Sequence, residues 1–464
     1  MNPDLLSQTM IALAGLLTIS ALLFGQSSFQ GAWKPLVLLS FCATACMAAL
    51  VQTWFGFVIF LELSSLLLAL LVASADGKTA KIFLFSQLAG GALLLLGASL
   101  LSAPGSPAPL GPVPQAWYPL FLFALGFKAA FPGLHFWLPP THSRAPTEGS
   151  LLLSGYAVKM GIYGLLRLVD QPSPALLCIG ITMALYGVFQ ALMQHDTKRL
   201  LACHTVSQLG FMVAALATGT PQGRQAALFY LVAHALFKGL LFLTAGSLEK
   251  IFGSRDLTLL GGAARKVPLL FALFLLGAGA IAGFPGTAGY VGKGMVKSAL
   301  ASHPVPLWSL QLAGVGTVLS FCKFGRYAFL GAFGEKTEGE GKTRSLPLVA
   351  WGGMLLLALP LLLLGILPQK SLLFSGEMGK LWSLGSLGSA LLPLGAGAGL
   401  FLLLPKLFRP REGHFPDAED LLGPAAELLR HPLRELRHLH SGRLRHYIFY
   451  LTFALIVMLF ILEQ

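Results

Sequence analysis

The sequence contains little charge for its length. Only 11% of its 464 residues are Asp, Glu, Lys or Arg, whereas 55% are hydrophobic and the mean hydropathy is +0.74. An average soluble domain carries about 25% charged residues, so this composition excludes a soluble enzyme. The net charge is +13, yet the basic residues lie between long apolar runs instead of on one polar face. The pattern therefore excludes a nucleic-acid-binding protein as well.

Cysteine is also scarce. The five cysteines include no CxxC pair, and Cys42 and Cys46, four residues apart on one helix face, are interpreted as packing residues. His135 and His142 are interpreted as loop-ordering residues because no metal-ligand spacing accompanies them. The sequence has no iron–sulfur, haem, zinc or nucleotide-loop signature. We therefore predict no metal, no cofactor and no catalytic redox group in the chain.

Long apolar runs fill most of the chain. About 20 apolar residues cross a hydrocarbon core of roughly 30 Å as a helix, so we predict an all-α polytopic membrane protein with 14 transmembrane helices. The first run lacks the basic region and cleavage motif of a signal peptide, which favours a retained helix. The predicted spans are 5–25, 36–52, 55–74, 80–102, 117–134, 149–168, 174–193, 200–218, 224–247, 268–301 (interrupted), 307–331, 347–367, 388–405 and 446–462.

The loops between these spans differ in charge. Most of the 32 Lys and Arg residues lie in the set of loops that begins at Lys34, and the other set holds only Arg167, Arg224, Lys370 and Lys380. The positive-inside rule then predicts that the basic loops are cytoplasmic and that both termini lie outside, in a prokaryotic-type inner membrane.

The spans divide the chain into predicted units. Residues 1–35 form an N-terminal helix and loop, and 332–405 contain additional C-terminal helices. The units 36–168 and 174–331 each hold five helices, an odd number, so they must face opposite ways across the membrane. Residues 406–445 form a basic cytoplasmic segment, and 446–464 a terminal transmembrane helix.

Several predicted spans contain ionisable residues. Glu62 is the one acidic residue deep in a span, and the apolar runs also contain Lys128, Lys159, Lys238, Lys293, Lys297, Lys323, His204 and His234. One such charge in hydrocarbon costs at least about 2.5–3.5 kcal/mol. Partners, water or shifted pKa values must offset that cost. Structural ion pairing and snorkelling are the alternatives, and they are favoured for Lys323.

Two spans carry helix breakers. Pro132 and Gly133 follow Lys128, and Pro285 and Gly286 precede Lys293. Broken helices survive in a membrane where they line a cavity or are buried in protein. Breaks at corresponding places in two halves are typical of inverted repeats with an ion path at the breaks.

Four motifs resemble one family of membrane subunits. They are KAAFPGLHFWLPPTHSRAPTEGSLLLSGYAVKMGIYGLLR, DTKRLLACHTVSQLGFM, HALFKGLLFLTAGSL and GFPGTAGYVGK, in this order. They are similar to signatures of the proton-translocating antiporter-like subunits of respiratory complex I, of Mrp-type antiporters, and of membrane-bound hydrogenases including formate hydrogenlyase. The resemblance covers about residues 36–331 and implies two inverted five-helix repeats with a central hydrophilic axis.

The resemblance also implies roles for the buried ionisable residues. Glu62 and Lys128 match the family's acid–lysine pair at the first break, and Lys159 matches the connecting lysine. His234 and Lys238 match the central link, and Lys293 matches the terminal residue at the second break. His204, Lys297 and Lys323 are possible accessory residues. Cys203 and His204 replace residues common in complex I, and the C-terminal SGRLRHY also favours a hydrogenase-like complex.

The resemblance implies a non-redox translocation subunit of an oxidoreductase complex, which moves H⁺ along a Glu/Lys/His relay. The expected partners are further antiporter-like subunits, other membrane subunits, peripheral redox subunits and the lipid bilayer, with no nucleic acid. Alternatives are an Mrp-type cation/proton antiporter subunit without redox partners, a family member recruited to inorganic-carbon uptake, and a structural scaffold. The resemblance does not decide between H⁺ and Na⁺.

Overall fold

The computed structural model describes residues 3–29, 31–103, 106–331, 345–374 and 378–410. Nearly all of the regular structure in these ranges is helical. The helices are α1 Leu5–Gly25, α2 Trp33–Leu50, α3 Trp54–Ala73, α4 Gly77–Leu101, α5 Tyr118–Lys128, α6 Leu138–Arg144, α7 Thr147–Leu152, α8 Val158–Leu168, α9 Pro174–Met193, α10 Thr197–Leu216, α11 Pro221–Phe252, α12 Ala263–Lys266, α13 Pro268–Ala282, α14 Ala288–Ala299, α15 Pro304–Phe324, α16 Leu348–Ile366, α17 Met378–Leu381 and α18 Leu384–Leu403.

The predicted fold class is confirmed. In the described ranges, 11 helical segments are long and apolar enough to cross a membrane, and Tyr118–Lys128 and Pro268–Ala282 are shorter apolar helices. Every predicted span within those ranges coincides with a helix or with helical pieces. The predicted span 446–462 and nearly all of the basic segment 406–445 lie outside the described residues, so the total of 14 helices stays a prediction.

Helix starts follow the local sequence. Thr220 caps α11 by accepting a hydrogen bond from the Gly223 amide, and Pro221 occupies the first helical position, where its missing N–H costs nothing. Asp76 caps α4 in the same way, and the hydrogen bond that its carboxylate accepts from the Thr79 hydroxyl holds its pKa below the usual range. Such caps allow apolar helices to end abruptly at the membrane surface.

Contacts join the helix ends into two sets. At one end, Arg255 contacts Asp196, Glu249 and the Ser143 carbonyl, so it ties the start of α10 to the ends of α6 and α11. At the other end, Arg167 pairs with Asp4 at 2.5 Å, and Gln222 donates to Ser298 at 2.9 Å. The first end carries mostly the loops of the basic set, and we name this end the basic face. The second is named the opposite face.

The first predicted break is present. Helix α5 ends at Lys128, and Ala130 and Gly133 have positive φ angles of 57° and 81° before α6 begins. The Trp137 indole donates to the Phe127 carbonyl at 3.0 Å, which satisfies a carbonyl at the end of the broken helix. The helix therefore ends several residues before the predicted limit at 134, because the chain turns before Pro132.

The second predicted break lies between α13 and α14. Gly283 and Gly286 have φ angles of 88° and 89°, which glycine adopts without a side-chain clash. The Phe284 amide donates to the Gly279 carbonyl at 2.7 Å, and Thr287 caps the new helix. Both breaks thus place helix ends inside the protein, each close to a lysine.

Candidate functional site

The first element of the site is an ion pair inside the helical bundle. Lys128 Nζ lies 2.5 Å from Glu62 Oε1, and the lysine is 1% exposed. The second carboxylate oxygen, Oε2, is buried without a hydrogen-bond partner. Gly91 of α4 makes room for this carboxylate, because a Cβ there would overlap with it. The pairing predicted for Glu62 and Lys128 is therefore present as a direct contact.

The position of Lys128 depends on close backbone packing. It is the last residue of α5, and Gly161 of α8 lies against the backbone of Lys128 and Ala129. A Cβ at Gly161 would lie 2.5 Å from the Ala129 nitrogen and 2.7 Å from the Lys128 carbonyl carbon. Lys159 is two residues before Gly161 on the same helix. The first break and the connecting lysine are thus held together by one glycine contact.

Lys159 follows a π-helical segment, Leu153–Ala157, between α7 and α8. It is fully buried, and its Nζ donates to the carbonyl of Ser154 within that segment. A π-turn frees a carbonyl from the regular helical pattern, which is a common local feature of functional sites. The ammonium therefore has a neutral partner in place of a carboxylate.

Polar groups of Ser154, Thr205 and Leu201 lie between Lys159 and Lys238, and each lysine donates to a backbone carbonyl of this group. The Ser154 hydroxyl lies 3.0 Å from the Thr205 hydroxyl, which donates to the Leu201 carbonyl at 3.2 Å. The fully buried Lys238 donates to the same Leu201 carbonyl. This group includes residues of α10 and lies between the lysines of α8 and α11. Sequence reasoning missed Ser154 and Thr205, because single hydroxyls in apolar helices are usually bonded to their own helix.

Two buried histidines flank Lys238. Both His234 and His204 are fully buried, and within the described ranges none of their ring nitrogens has a hydrogen-bond partner. The charges that act on His234 are those of Lys159 and Lys238, and those that act on His204 belong to Lys238 and Lys293. His204, predicted only as an accessory residue, therefore lies among the lysines of the site, on the side of the second break.

Lys293 lies beside the second break. Its side chain is 6% exposed, and its Nζ has no hydrogen-bond partner among the described residues. The Nζ lies 5.0 Å from the centre of the Phe211 ring. The lysine stem passes close to Gly283, where a Cβ would lie 3.1 Å from Lys293 Cδ. A cavity of about 860 Å³ begins at Lys293 and extends to the exposed residues Gln222 and Ser298 on the opposite face. Lys293 is therefore the member of the predicted relay that borders a large cavity.

The two remaining accessory lysines have carbonyl partners. Lys297 Nζ donates to the Ser389 carbonyl of α18 at 2.9 Å and also lines the cavity. Lys323 Nζ donates at 2.8 Å to the carbonyls of Leu192 and Gln194, so it satisfies the C-terminal end of α9. The contacts of Lys323 are those of a helix-capping residue.

Two further residues of the site escaped the sequence analysis. His142, interpreted there as loop-ordering, is fully buried, stacks on Phe242 at 4.6 Å and has no hydrogen-bond partner on either nitrogen. The charges that act on it are those of Lys238, Lys159 and Lys198. Lys198, which lies just before the predicted span 200–218, is 2% exposed and pairs at 2.7 Å with Glu249, which is 36% exposed on the basic face. The overlooked signal for His142 is its place within a long motif that is mostly apolar, which favours burial of the imidazole.

Comparison with known proteins decides the family. Residues 51–320 match the family described as NADH:quinone oxidoreductase/Mrp antiporter, TM. The chain belongs to this family. It is 31% identical over 413 residues to NADH-quinone oxidoreductase subunit M of Escherichia coli K12. This match covers 80% of this chain and 79% of that protein. It is also 31% identical over 364 residues to Hydrogenase-4 component B of the same strain, covering 68% and 54%.

Other relatives extend this likeness. An uncharacterized Mycobacterium tuberculosis protein is 38% identical over 239 residues, and the match spans only 37% of that protein and 46% of this chain. The structure of the Mrp complex from Dietzia sp. DQ12-45-1b superposes with a TM-score of 0.73 at 23% identity, covering 87% of this chain and 85% of the matched chain. At that identity the superposition shows the shared fold.

These findings confirm the resemblance stated from the motifs. The chain is a multi-pass, antiporter-like membrane subunit of the complex I, Mrp and hydrogenase family. Its relatives are components of multi-subunit membrane complexes.

Proposed function

We propose that this subunit translocates protons within a redox-driven membrane complex, along a relay of Glu62, Lys128, Lys159, His234, Lys238 and Lys293. The observation that carries the proposal is that the four relay lysines, Lys128, Lys159, Lys238 and Lys293, are all buried, and that among the described residues only Lys128 of these four has a carboxylate partner. Buried ammonium groups without counter-charge are costly. A protein retains several of them where the charge is needed for function.

The relay works through exchange of a shared charge. When Lys128 separates from Glu62, it loses the interaction that favours its charged form and releases its proton toward Lys159. Ser154 and Thr205 provide hydroxyls between Lys159 and Lys238, and hydroxyls both donate and accept hydrogen bonds. His204 extends the path from Lys238 toward Lys293, which releases the proton into the cavity. The driving free energy is supplied by partner subunits.

We also propose that His142 supplies protons to the relay from the basic face. Glu249 is partly exposed there, Lys198 pairs with it in the interior, and His142 lies among Lys198, Lys159 and Lys238. Imidazole exchanges protons near neutral pH more readily than any other unperturbed side chain. The sequence Glu249, Lys198, His142 thus joins the basic face to the centre of the relay.

The variant His142→Phe tests this supply path. Phenylalanine keeps an aromatic ring stacked on Phe242 but carries no proton, so we expect steady-state proton pumping to fall by roughly tenfold or more. Pumping is measured in inverted membrane vesicles as fluorescence quenching of an acridine dye over a range of pH. His303→Phe, on the opposite face, is the matched control and is expected to pump normally. Unchanged pumping in His142→Phe would exclude this path.

The relay itself is tested with Lys159→Ala and Lys293→Ala in the native complex. We expect both variants to assemble, because each removes a buried charge that has no carboxylate partner, and to lose proton translocation. Subunit composition is checked by native gel electrophoresis and translocation by the dye assay. Assembled variants with normal translocation would favour the scaffold alternative. Lys370→Ala, which replaces an exposed lysine, controls for the loss of one positive charge.

An Mrp-type cation/proton antiporter without redox partners is the second candidate. The matched family includes Mrp antiporters, and the Mrp complex shares the fold. Measuring the same dye signal at varied Na⁺ concentration, with and without the redox substrate, separates the two. Identification of the proteins that co-purify with the native complex would name the redox module.

By the positive-inside rule, the proposed orientation places the basic face in the cytoplasm and the cavity beside Lys293 on the outside. We further propose that 36–168 and 174–331 are the inverted repeats. The two breaks lie at corresponding places in these units.

A further inference from the structure

The cavity beside Lys293 has an unusual balance of charge. Three lysines line it, Lys293, Lys297 and Lys380, and neither Asp nor Glu occurs among the described residues of its lining. The other polar groups are neutral amides and hydroxyls, including Gln222, Gln311 and the serines of α18. We name this cavity the lysine vestibule.

Two of these lysines repel each other. Lys293 and Lys297 are four residues apart on α14, and the charge of Lys297 acts on Lys293. Like charges at this spacing destabilise a helix. Lys297 donates to the neutral Ser389 carbonyl, and no carboxylate pairs with it among the described residues.

Lys293 provides an independent observation. Its Nζ is buried, borders the cavity and has no hydrogen-bond partner in the part of the chain that the structure describes. Buried polar groups are satisfied in more than nine of ten cases, so an unpartnered ammonium indicates a missing acceptor. The Phe211 ring at 5.0 Å supplies only the weak attraction of an aromatic face.

We infer that the lysine vestibule binds a phosphate group, either as free inorganic phosphate or as the headgroup of an anionic lipid. Lysine binds phosphate as a point charge, and the surrounding amides and hydroxyls donate additional hydrogen bonds. The volume of about 860 Å³ accommodates either ligand. The bound anion neutralises the pair Lys293 and Lys297, so that the terminal lysine of the relay can hold a proton beside a second cation. This inference goes beyond the proposed function, which needs only water in the cavity.

Phosphate binding is measured directly. The full chain is purified in detergent, and radiolabelled inorganic phosphate is titrated by equilibrium dialysis at pH 7. We expect saturable binding of one phosphate per chain. Lys297→Gln is expected to weaken binding by roughly tenfold or more, since it removes one charge-assisted interaction. Lys293→Gln is expected to act similarly. Lys370→Gln, an exposed lysine on the same face that does not line the cavity, is the matched control and should bind as the original chain does.

A second arm separates the two sources. The chain is placed in nanodiscs of phosphatidylglycerol or of phosphatidylcholine, and inorganic phosphate is titrated again. A headgroup site is identified if phosphatidylglycerol, but not phosphatidylcholine, prevents phosphate binding. Native mass spectrometry should then show one retained phosphatidylglycerol, which the Lys297→Gln chain loses. Equal phosphate binding in both nanodiscs identifies a free-phosphate site.

Two results would overturn the inference. One is the lack of saturable binding of either ligand. The other is equal affinity in the Lys297→Gln, Lys293→Gln and Lys370→Gln chains, each shown to be folded by its thermal unfolding. Binding is measured without a proton gradient, so the result is independent of the transport assay. Phosphate binding in a chain that moves no protons would refute the proposed function and leave the site intact.

Discussion

Replacing Glu62 by Leu and Lys128 by Met together is expected to leave the protein folded but unable to translocate protons. The two residues form one ion pair inside the bundle, at 2.5 Å. Replacing a whole buried ion pair by apolar residues of similar volume is often neutral or stabilising. The same change removes the first exchangeable charge of the relay. Thermal unfolding of the purified chain and dye quenching in inverted vesicles measure the two effects separately.

The single variants provide the contrast. Glu62→Leu leaves an unpaired ammonium at Lys128, and Lys128→Met leaves an unpaired carboxylate at Glu62. Removing one partner of a buried ion pair costs about 3–5 kcal/mol of stability. We therefore expect both singles to unfold at lower temperature than the double variant. A double variant that still pumps protons at the original rate would show that this pair has no part in translocation. A double variant less stable than both singles would show that the contact is mainly structural.

Gly161→Ala is expected to destabilise the protein strongly for the addition of a single methyl group. The new Cβ would lie 2.5 Å from the Ala129 nitrogen and 2.7 Å from the Lys128 carbonyl carbon, and both are backbone atoms. Backbone cannot move aside as the end of a flexible side chain can, so α8 must shift away from the break. Overpacking costs about 1–3 kcal/mol in a typical core, and we expect the upper part of that range. Expression level and thermal unfolding in detergent measure it.

Gly15→Ala is the matched control for this prediction. Gly15 lies inside α1, and a Cβ there would have no neighbour within 4 Å. Alanine favours a helix by about 1 kcal/mol relative to glycine, so this variant should be as stable as the original chain or more stable. If Gly161→Ala matched it, the close approach of α8 to Lys128 would be unimportant. Because α8 also carries Lys159, we expect Gly161→Ala to reduce pumping as well.

The helices and the two breaks were predictable from the sequence because their causes are local. Long apolar runs specify spans in a membrane, and a proline directly followed by a glycine favours the end of a helix. The breaks at Pro132–Gly133 and Pro285–Gly286 were predicted for this reason and are present. The pairing of Glu62 with Lys128 was carried over from the family motifs, and the contact is present.

The parts that were missed depend on which helices meet. Ser154 and Thr205 are 51 residues apart, and nothing local indicates that their hydroxyls lie 3.0 Å from each other. Lys198 has the sequence context of a surface loop, and only the packing of α10 against its neighbours makes it 2% exposed. The environment of His142 could not be predicted for the same reason, because its burial near three lysines arises only when the helices pack together.

The amino-acid sequence alone determined that this chain is a multi-pass membrane protein with two broken helices and a small set of buried ionisable residues. It did so because apolar runs, prolines and rare intramembrane charges act through local energetics. Only the tertiary structure decided which of these charges meet a partner. It pairs Lys128 with Glu62 and places the hydroxyls of Ser154 and Thr205 between Lys159 and Lys238. Within the described residues it leaves the Lys293 ammonium without a hydrogen-bond partner at the lysine vestibule. Distances between helices depend on how complete surfaces pack, and the order of residues along one helix does not contain that information.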